Sequence, residues 1–269
     1  MQKTKYAVFF DVDGTLYDCG QPVVESTRQA IASLRANGHL AFVCSGRGRL
    51  MVPDEPILEL GFDGVMAGCG MYAEYKEKCL FEELMSEELI RWTLSVMDEY
   101  PCQYIMEGSE YIYYNPKRLA KYGPDWYIHE ILRQHANRFV EVGELDKIKA
   151  SKWGLQCHGS EQINEELIER LRERYQMLCH LSGVAEAVPT GYSKGKGIER
   201  LCKQLGISME NTISFGDSCN DIDMLRATKL GIVMGNGTDV AKKEADYITE
   251  PMREDGIWKA LCKFGLIAG

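Results

Sequence analysis

The sequence has no long hydrophobic run, no paired-cysteine motif, no basic excess and no low-complexity linker, and each absence removes a class of function. No apolar stretch in the 269 residues approaches the roughly 20 that a membrane helix needs. The start, Met1-Gln2-Lys3-Thr4-Lys5, leads straight into a strand-like segment without a signal-peptide core or cleavage site. A soluble, cytoplasmic protein with no membrane partner is expected. The ten cysteines (19, 44, 69, 79, 102, 157, 179, 202, 219, 262) contain no CxxC pair and no zinc-like spacing, so they read as reduced, mostly buried thiols. A net charge of −9 argues against a nucleic-acid groove, which would need a basic face. What is present is ordinary globular material, 45% hydrophobic and 26% charged with a mean hydropathy of −0.26. At about 150 residues per domain the length suggests two domains.

Tyr6 to Phe10 is a continuous apolar run, as expected of a parallel strand covered by helices on both faces. Leu40 to Cys44 is a second run. Between them Glu25 to Asn37 reads as a helix with Ala30, Ile31 and Leu34 on one face and a Gly38 stop, which completes a βαβ unit. Phe62 to Ala67 adds a third strand, and Ile213 to Phe215 and Leu230 to Val233 add two more, flanked by helical segments Gly197 to Leu205 and Asp221 to Thr228. From about Glu82 to Val188 the texture changes. Short strand-like pieces (Gln103 to Met106, Tyr111 to Tyr114, Trp153 to Cys157, Met177 to Ser182) mix with helices (Glu87 to Glu99, Glu161 to Arg174), the pattern of an α+β insert. The expected fold is α/β: a doubly wound parallel-sheet (Rossmann-like) core of residues 1–81 plus 189–269, with residues 82–188 as an inserted α+β domain. The insert has 19 acidic and 12 basic side chains, a net −7 that leaves −2 for the core. It also holds eight of fourteen tyrosines and Trp92, Trp126 and Trp153, which read first as the core of a small domain.

Four clusters carry chemistry. Asp11-Val12-Asp13-Gly14-Thr15 follows the first strand, at the carboxyl end where α/β sheets bind ligands. Two acids one residue apart repel unless a divalent cation compensates. A plain turn is the bland alternative, and a calcium loop fails for want of later acids. Ser45-Gly46-Arg47 closes the second strand, offering a hydroxyl and backbone N–H groups to a phosphoryl oxygen. Ser193-Lys194-Gly195-Lys196-Gly197 opens a helix, where a cation is disfavoured by the helix dipole unless an anion is bound nearby. Gly216-Asp217-Ser218-Cys219-Asn220-Asp221 follows another strand. An N-cap accounts for Asp221 but leaves Asp217 unexplained. A nucleotide-binding Rossmann module would start a Gly-x-Gly-x-x-Gly turn where Asp11 stands.

These four clusters, in this order and each at a strand end or a helix start, resemble the motifs of the haloacid dehalogenase (HAD) superfamily of phosphohydrolases. The long insert and the run Val233-Met234-Gly235-Asn236-Gly237 through Asp255-Gly256 are similar to its Cof-type subfamily. Ser45 stands where threonine is commoner, and Cys69-Gly70-Met71 replaces Asn-Gly-Ala. The resemblance implies a Mg²⁺-dependent phosphatase of small phosphorylated metabolites, sugar phosphates or similar phosphomonoesters. It implies Asp11 as the nucleophile that forms an aspartyl-phosphate and Asp13 as general acid and base. Mg²⁺ is then held by Asp11, the backbone carbonyl of Asp13, and Asp217, and the phosphoryl group by Ser45, Gly46, Lys194 and Asn220. Thr15, Arg47 and Asp221 take supporting places, Asp221 either beside the metal waters or orienting Lys194. Lys194 is favoured over Lys196 because it precedes the glycine of the Ser-Lys-Gly pattern. The insert becomes a substrate-specificity cap. A phosphomutase of the phosphomannomutase type is the alternative, which the acidic insert counts against, and a non-catalytic phosphometabolite-binding protein is the second.

Overall fold

The computed structural model describes residues 4–18, 20–122, 126–157, 164–179 and 183–269. The chain forms two compact units, one of Met1–Arg47, Met51–Phe81 and Ser193–Gly269, the other of Gly48–Leu50 and Glu82–Tyr192. The first unit begins with β1 (Ala7–Phe10), α1 (Glu25–Ala36), β2 (Leu40–Cys44), β3 (Gly64–Ala67), β4 (Tyr72–Tyr75) and β5 (Lys78–Glu82). The second contains α2 (Glu87–Asp98), β6 (Cys102–Glu107), β7 (Ile112–Tyr114), α3 (Pro116–Tyr122), α4 (Trp126–His135), β8 (Phe139–Glu141), β9 (Lys152–Cys157), α5 (Glu165–Arg172), β10 (Tyr175–Cys179) and β11 (Val184–Pro189). The chain then returns through α6 (Lys194–Leu205), β12 (Thr212–Gly216), α7 (Ile222–Ala227), β13 (Leu230–Val233), α8 (Asp239–Lys242), β14 (Tyr247–Ile248) and α9 (Gly256–Lys263).

The first unit is a doubly wound α/β core whose eight-stranded sheet has the order β14-β13-β12-β1-β2-β3-β4-β5. Strands β14 through β3 run parallel, and β4 turns back against β3. All four residues of β1 are fully buried because helices cover both faces. Val8 and Phe10 pack with Ile31 and Leu34 of α1 and with Ile257 and Leu261 of α9. Ala7 and Phe9 pack with Ile198 and Leu201 of α6 and with Met224 of α7. Phe10 stacks on Phe215 at 5.0 Å, and Phe9 on Phe42 at 5.1 Å. Burying each such ring is worth about 1.5–3 kcal/mol, so the strand that carries the first acidic cluster is anchored on two sides. From β1 the chain winds to β2 and β3 on one side, and later to β12, β13 and β14 on the other. The carboxyl ends of β1, β2 and β12 therefore meet at the switch point of the sheet, the usual ligand position in this architecture.

The six-stranded sheet of the second unit has the order β10-β11-β9-β6-β7-β8. It is antiparallel except where β7 meets β8. One face carries Tyr104, Met106, Trp153, Leu155, Ala185 and Ala187, packed with Ile90, Val96 and Met97 of α2 and with Leu167 and Leu171 of α5. Strand alternation puts Gln103, Glu107, Lys152 and Gln156 on the opposite face, with Glu107 directly across from Lys152. All four are buried. The expected helix from Glu161 is observed as α5 from Glu165, and the expected strand from Met177 as β10 from Tyr175; residues 161–163 and 180–182 lie outside the described residues. Among the described residues no helix is long and apolar enough to cross a membrane.

Candidate active site

The site is built from strand ends. Beyond β1 the amide of Asp11 still donates to the Phe215 carbonyl at 2.9 Å, which holds its carboxylate against β12 with 3% of the residue exposed. The chain then turns tightly: the amides of Leu16 and Tyr17 both donate to the Val12 carbonyl, and that of Gly14 to the Tyr17 carbonyl. Gly14 adopts φ +84°, and a Cβ there would lie 2.4 Å from Asp217 Oδ2. Both the conformation and the space therefore require glycine. Asp13 points to solvent and is held by Arg47, whose Nε and Nη2 donate to its two carboxylate oxygens at 2.8 and 2.7 Å. Thr15 is fully buried with its Oγ1 unpaired.

Lys194 is the first residue of α6, and Ser193 caps that helix by accepting from the Lys196 amide. The Lys194 ammonium is buried and donates to Asp11 Oδ1 at 2.5 Å and to Asp221 Oδ1 at 2.6 Å. Lys196 is exposed, so of the two lysines Lys194 is the one at the acidic cluster. Burial alone would lower the pKa of the Lys194 ammonium, but the charges of Asp11 and Asp221 outweigh it and hold that pKa well above the ordinary value. Asp221 Oδ2 accepts from the amides of Asp217 and Ser218. Both of its oxygens are therefore engaged, one of them by the Lys194 ammonium.

Oxygens of Asp11, Asp217 and Asp221 lie within 4.8 Å of one another. Three carboxylates against one ammonium leave two negative charges in a buried space. Burial, followed by the charge of Asp221, pushes the Asp217 carboxyl up to about 7. The same two causes raise Asp11 well above the usual carboxylate range, although Lys194 opposes them. Asp217 Oδ1 is buried with no partner. An all-oxygen set with a double negative excess and an unsatisfied acceptor fits a hard divalent cation.

The remaining predicted residues converge nearby. Ser45 is buried, and its Oγ accepts from the Arg47 amide at 3.1 Å. Ser218 Oγ donates to Asn220 Oδ1 at 2.7 Å, which turns the Asn220 amino group outward, 3.6 Å from where a Cβ of Gly46 would stand. The departure at Cys69-Gly70-Met71 forms a left-handed turn, with Cys69 at φ +52°. In it Gly68 and Cys69 donate backbone hydrogen bonds to the Arg47 and Ser45 carbonyls. Gly70 then meets α6 so closely that a Cβ on Gly197 would lie 2.5 Å from the Gly70 Cα. Sequence reasoning missed this brace between the Ser45 loop and the Lys194 helix; the paired glycines 70 and 197 were its only sign.

Comparison with known proteins gives the family. The family model of haloacid dehalogenase-like hydrolases matches residues 8–261. The chain is 28% identical to YkrA of Bacillus subtilis (strain 168), over 97% of this chain and 98% of YkrA. It is 24% identical to the pyridoxal phosphate phosphatase YbhA of Escherichia coli (strain K12), over 94% and 96% of the two chains. Among solved structures, the HAD subclass IIB sugar phosphatase BT4131 superposes with a TM-score of 0.81 at 27% identity, covering 98% of this chain and all of that one.

Proposed function

This chain belongs to the haloacid dehalogenase-like hydrolases, Cof type, and is a phosphohydrolase; from that premise we propose that it cleaves small phosphomonoesters, sugar phosphates or similar metabolites, in a Mg²⁺-dependent reaction through an aspartyl-phosphate on Asp11. The observation that carries the reading is the buried Lys194 ammonium bridging Asp11 and Asp221 beside the unsatisfied Asp217. Asp11 attacks phosphorus in line as the P–O bond to the alcohol breaks. Asp13 gives a proton to the leaving oxygen and later takes one from the water that hydrolyses the acyl phosphate. Lys194, the Ser45 hydroxyl, the Gly46 amide and Asn220 hold the phosphoryl oxygens, so that positioning and charge neutralisation do most of the catalysis. Mg²⁺ held by Asp11, Asp217 and the Asp13 carbonyl would neutralise phosphoryl charge and let the anionic nucleophile approach. Arg47 keeps Asp13 oriented through its two-pronged contact.

The second unit serves as the substrate-specificity cap. The net charge of −7 over residues 82–188 suits a hydroxyl-rich leaving group better than a second anionic one. The sugar phosphatase and pyridoxal phosphate phosphatase among its relatives are in keeping with a small phosphorylated substrate. Nine described cysteines are free thiols, in keeping with the reducing cytoplasm. The test is release of inorganic phosphate from p-nitrophenyl phosphate. Activity is expected to need Mg²⁺, to stop in EDTA and to vanish in Asp11→Asn. Full activity in either condition would overturn the mechanism. Transfer of phosphate to a second hydroxyl of the same sugar, without free phosphate, would favour a phosphomutase.

A further inference from the structure

The turn from Met234 to Thr238 has no part in the mechanism above, yet it touches two segments of the aspartate cluster, the Asp11–Gly14 loop and Asp217. The Asn236 side chain uses both ends of its amide: Nδ2 donates to the Gly14 carbonyl at 2.8 Å, and Oδ1 accepts from the Met252 amide at 2.8 Å. Gly14 is the residue pressed against the Asp217 carboxylate. Two residues after Asn236, the Thr238 amide donates to the Asp217 carbonyl at 2.8 Å and its Oγ1 reaches the same oxygen at 3.3 Å. Between them lies Gly237, where a Cβ would stand 2.8 Å from that carbonyl. The turn is itself fixed to the C-terminal segment, because the Gly235 amide donates to the Glu250 carbonyl.

We propose that Asn236 is a positioning residue for the divalent-cation site: by holding the Gly14 carbonyl while its own turn holds Asp217, it sets the separation between the Asp11–Gly14 loop and the Asp217 carboxylate. This rests on the reading of the aspartate cluster as a cation site. Asp11 and Gly14 come from one end of the chain and Asp217 from a strand some two hundred residues later. Strand pairing fixes the strands, but the loops beyond them can drift. A side-chain amide tied at both ends removes that freedom at a point adjoining both ligands, as groups behind metal ligands commonly do.

The experiment measures Mg²⁺ binding to the metal-free protein by calorimetry, together with the rise in melting temperature that Mg²⁺ produces. Asn236→Ala is expected to weaken Mg²⁺ binding by about 10–100-fold and to shrink that rise. The matched control is Asn37→Ala, which removes another long-range tie in the same unit, from Asn37 Nδ2 to the Leu266 carbonyl at 2.7 Å, with no contact to the site. It should lower the metal-free melting temperature while leaving Mg²⁺ affinity within about twofold of wild type, the expectation for independent sites. Asn236→Asp sharpens the test and stands in if the alanine variant does not fold. It keeps the acceptor for Met252 but loses the donor to Gly14, so positioning demands weaker binding although the added negative charge alone would strengthen it. Wild-type affinity in Asn236→Ala, tighter binding in Asn236→Asp, or equal weakening in Asn37→Ala would each overturn the proposal. Absence of Mg²⁺ binding by the wild type would overturn the cation reading itself, and the positioning role with it.

Discussion

Each unit of the molecule buries a lysine against two carboxylates. In the first, Lys194 bridges Asp11 and Asp221, side chains that are 0%, 5% and 0% exposed. In the second, Lys152 at 1% exposure pairs with Glu186 and lies 3.8 Å from Glu107 Oε1. The Glu107 carboxylate also accepts from the Gly48 amide at 2.9 Å. The two clusters differ in what surrounds them. Lys152 and Glu107 face each other across adjacent strands, and the cluster is one negative charge in excess, with Glu186 partly open to water. Lys194 sits at a helix start, its partners come from two different strand ends, and a third carboxylate, Asp217, leaves an unsatisfied oxygen and a second negative charge. A buried lysine between two acids is therefore no mark of catalysis by itself. The uncompensated third acid at the switch point, closely approached by the Gly14 turn, sets the first cluster apart.

Replacing each lysine by methionine tests this contrast most severely. Either change leaves buried carboxylates without their cation and should cost about 3–5 kcal/mol in thermal or denaturant unfolding. Lys194→Met should also reduce phosphate release from p-nitrophenyl phosphate by about 10²–10³-fold or more. Lys152→Met should leave kcat on that small substrate within about tenfold, since its carboxylate partners, Glu107 and Glu186, belong to its own unit and not to the aspartate cluster. Equal losses would erase the distinction between the two clusters.

A smaller effect comes from pH. Because Asp11 and Asp217 bind protons more tightly in the folded, metal-free protein than in the unfolded chain, the folded state is favoured at low pH. Stability should fall as pH rises from about 4 through about 7, the value for Asp217. Saturating Mg²⁺ should flatten this slope, and so, in part, should Asp217→Asn. Melting temperatures across that range, with and without Mg²⁺, measure it. The smallest effect concerns the helix caps. Ser193 accepts from the Lys196 amide at the start of α6, and Ser86 from the Leu89 amide at the start of α2. Alanine at either position should cost about 1 kcal/mol, but only Ser193→Ala should lower kcat, because Lys194 is the first residue of its helix.

Much of the core was legible in the sequence. The apolar runs at Leu40 to Cys44 and Leu230 to Val233 match β2 and β13, and the helix from Glu25 ends within one residue of its expected stop. These elements obey local rules, with both faces covered and a glycine beyond the end. The helical periodicity of α6 becomes clear only from Gly197, three residues after its start at Lys194, because Gly195 and Gly197 are poor helix formers. The fold overrides that propensity: a Cβ on Gly195 would lie 2.4 Å from the Asp223 carbonyl, and one on Gly197 would strike Gly70. In the second unit β11 fell on an expected boundary, and α3, α4 and β8 had no clear periodicity to announce them. A single half-covered sheet allows many short patterns, and long-range pairing selects among them.

The sequence by itself determined the residue types and their order: four clusters, mostly at strand ends, whose acids, hydroxyl, lysine and glycines are the chemistry of phosphoryl transfer. The tertiary structure decided which of two lysines meets Asp11, that both oxygens of Asp221 are hydrogen-bonded while Asp217 keeps one unsatisfied, and that Asn236 reaches across 222 positions to Gly14. The division has a physical cause. Side-chain chemistry and periodicity are local properties written along the chain, whereas desolvation and the distances that set charge against charge exist only when the sheet brings β1, β2 and β12 side by side.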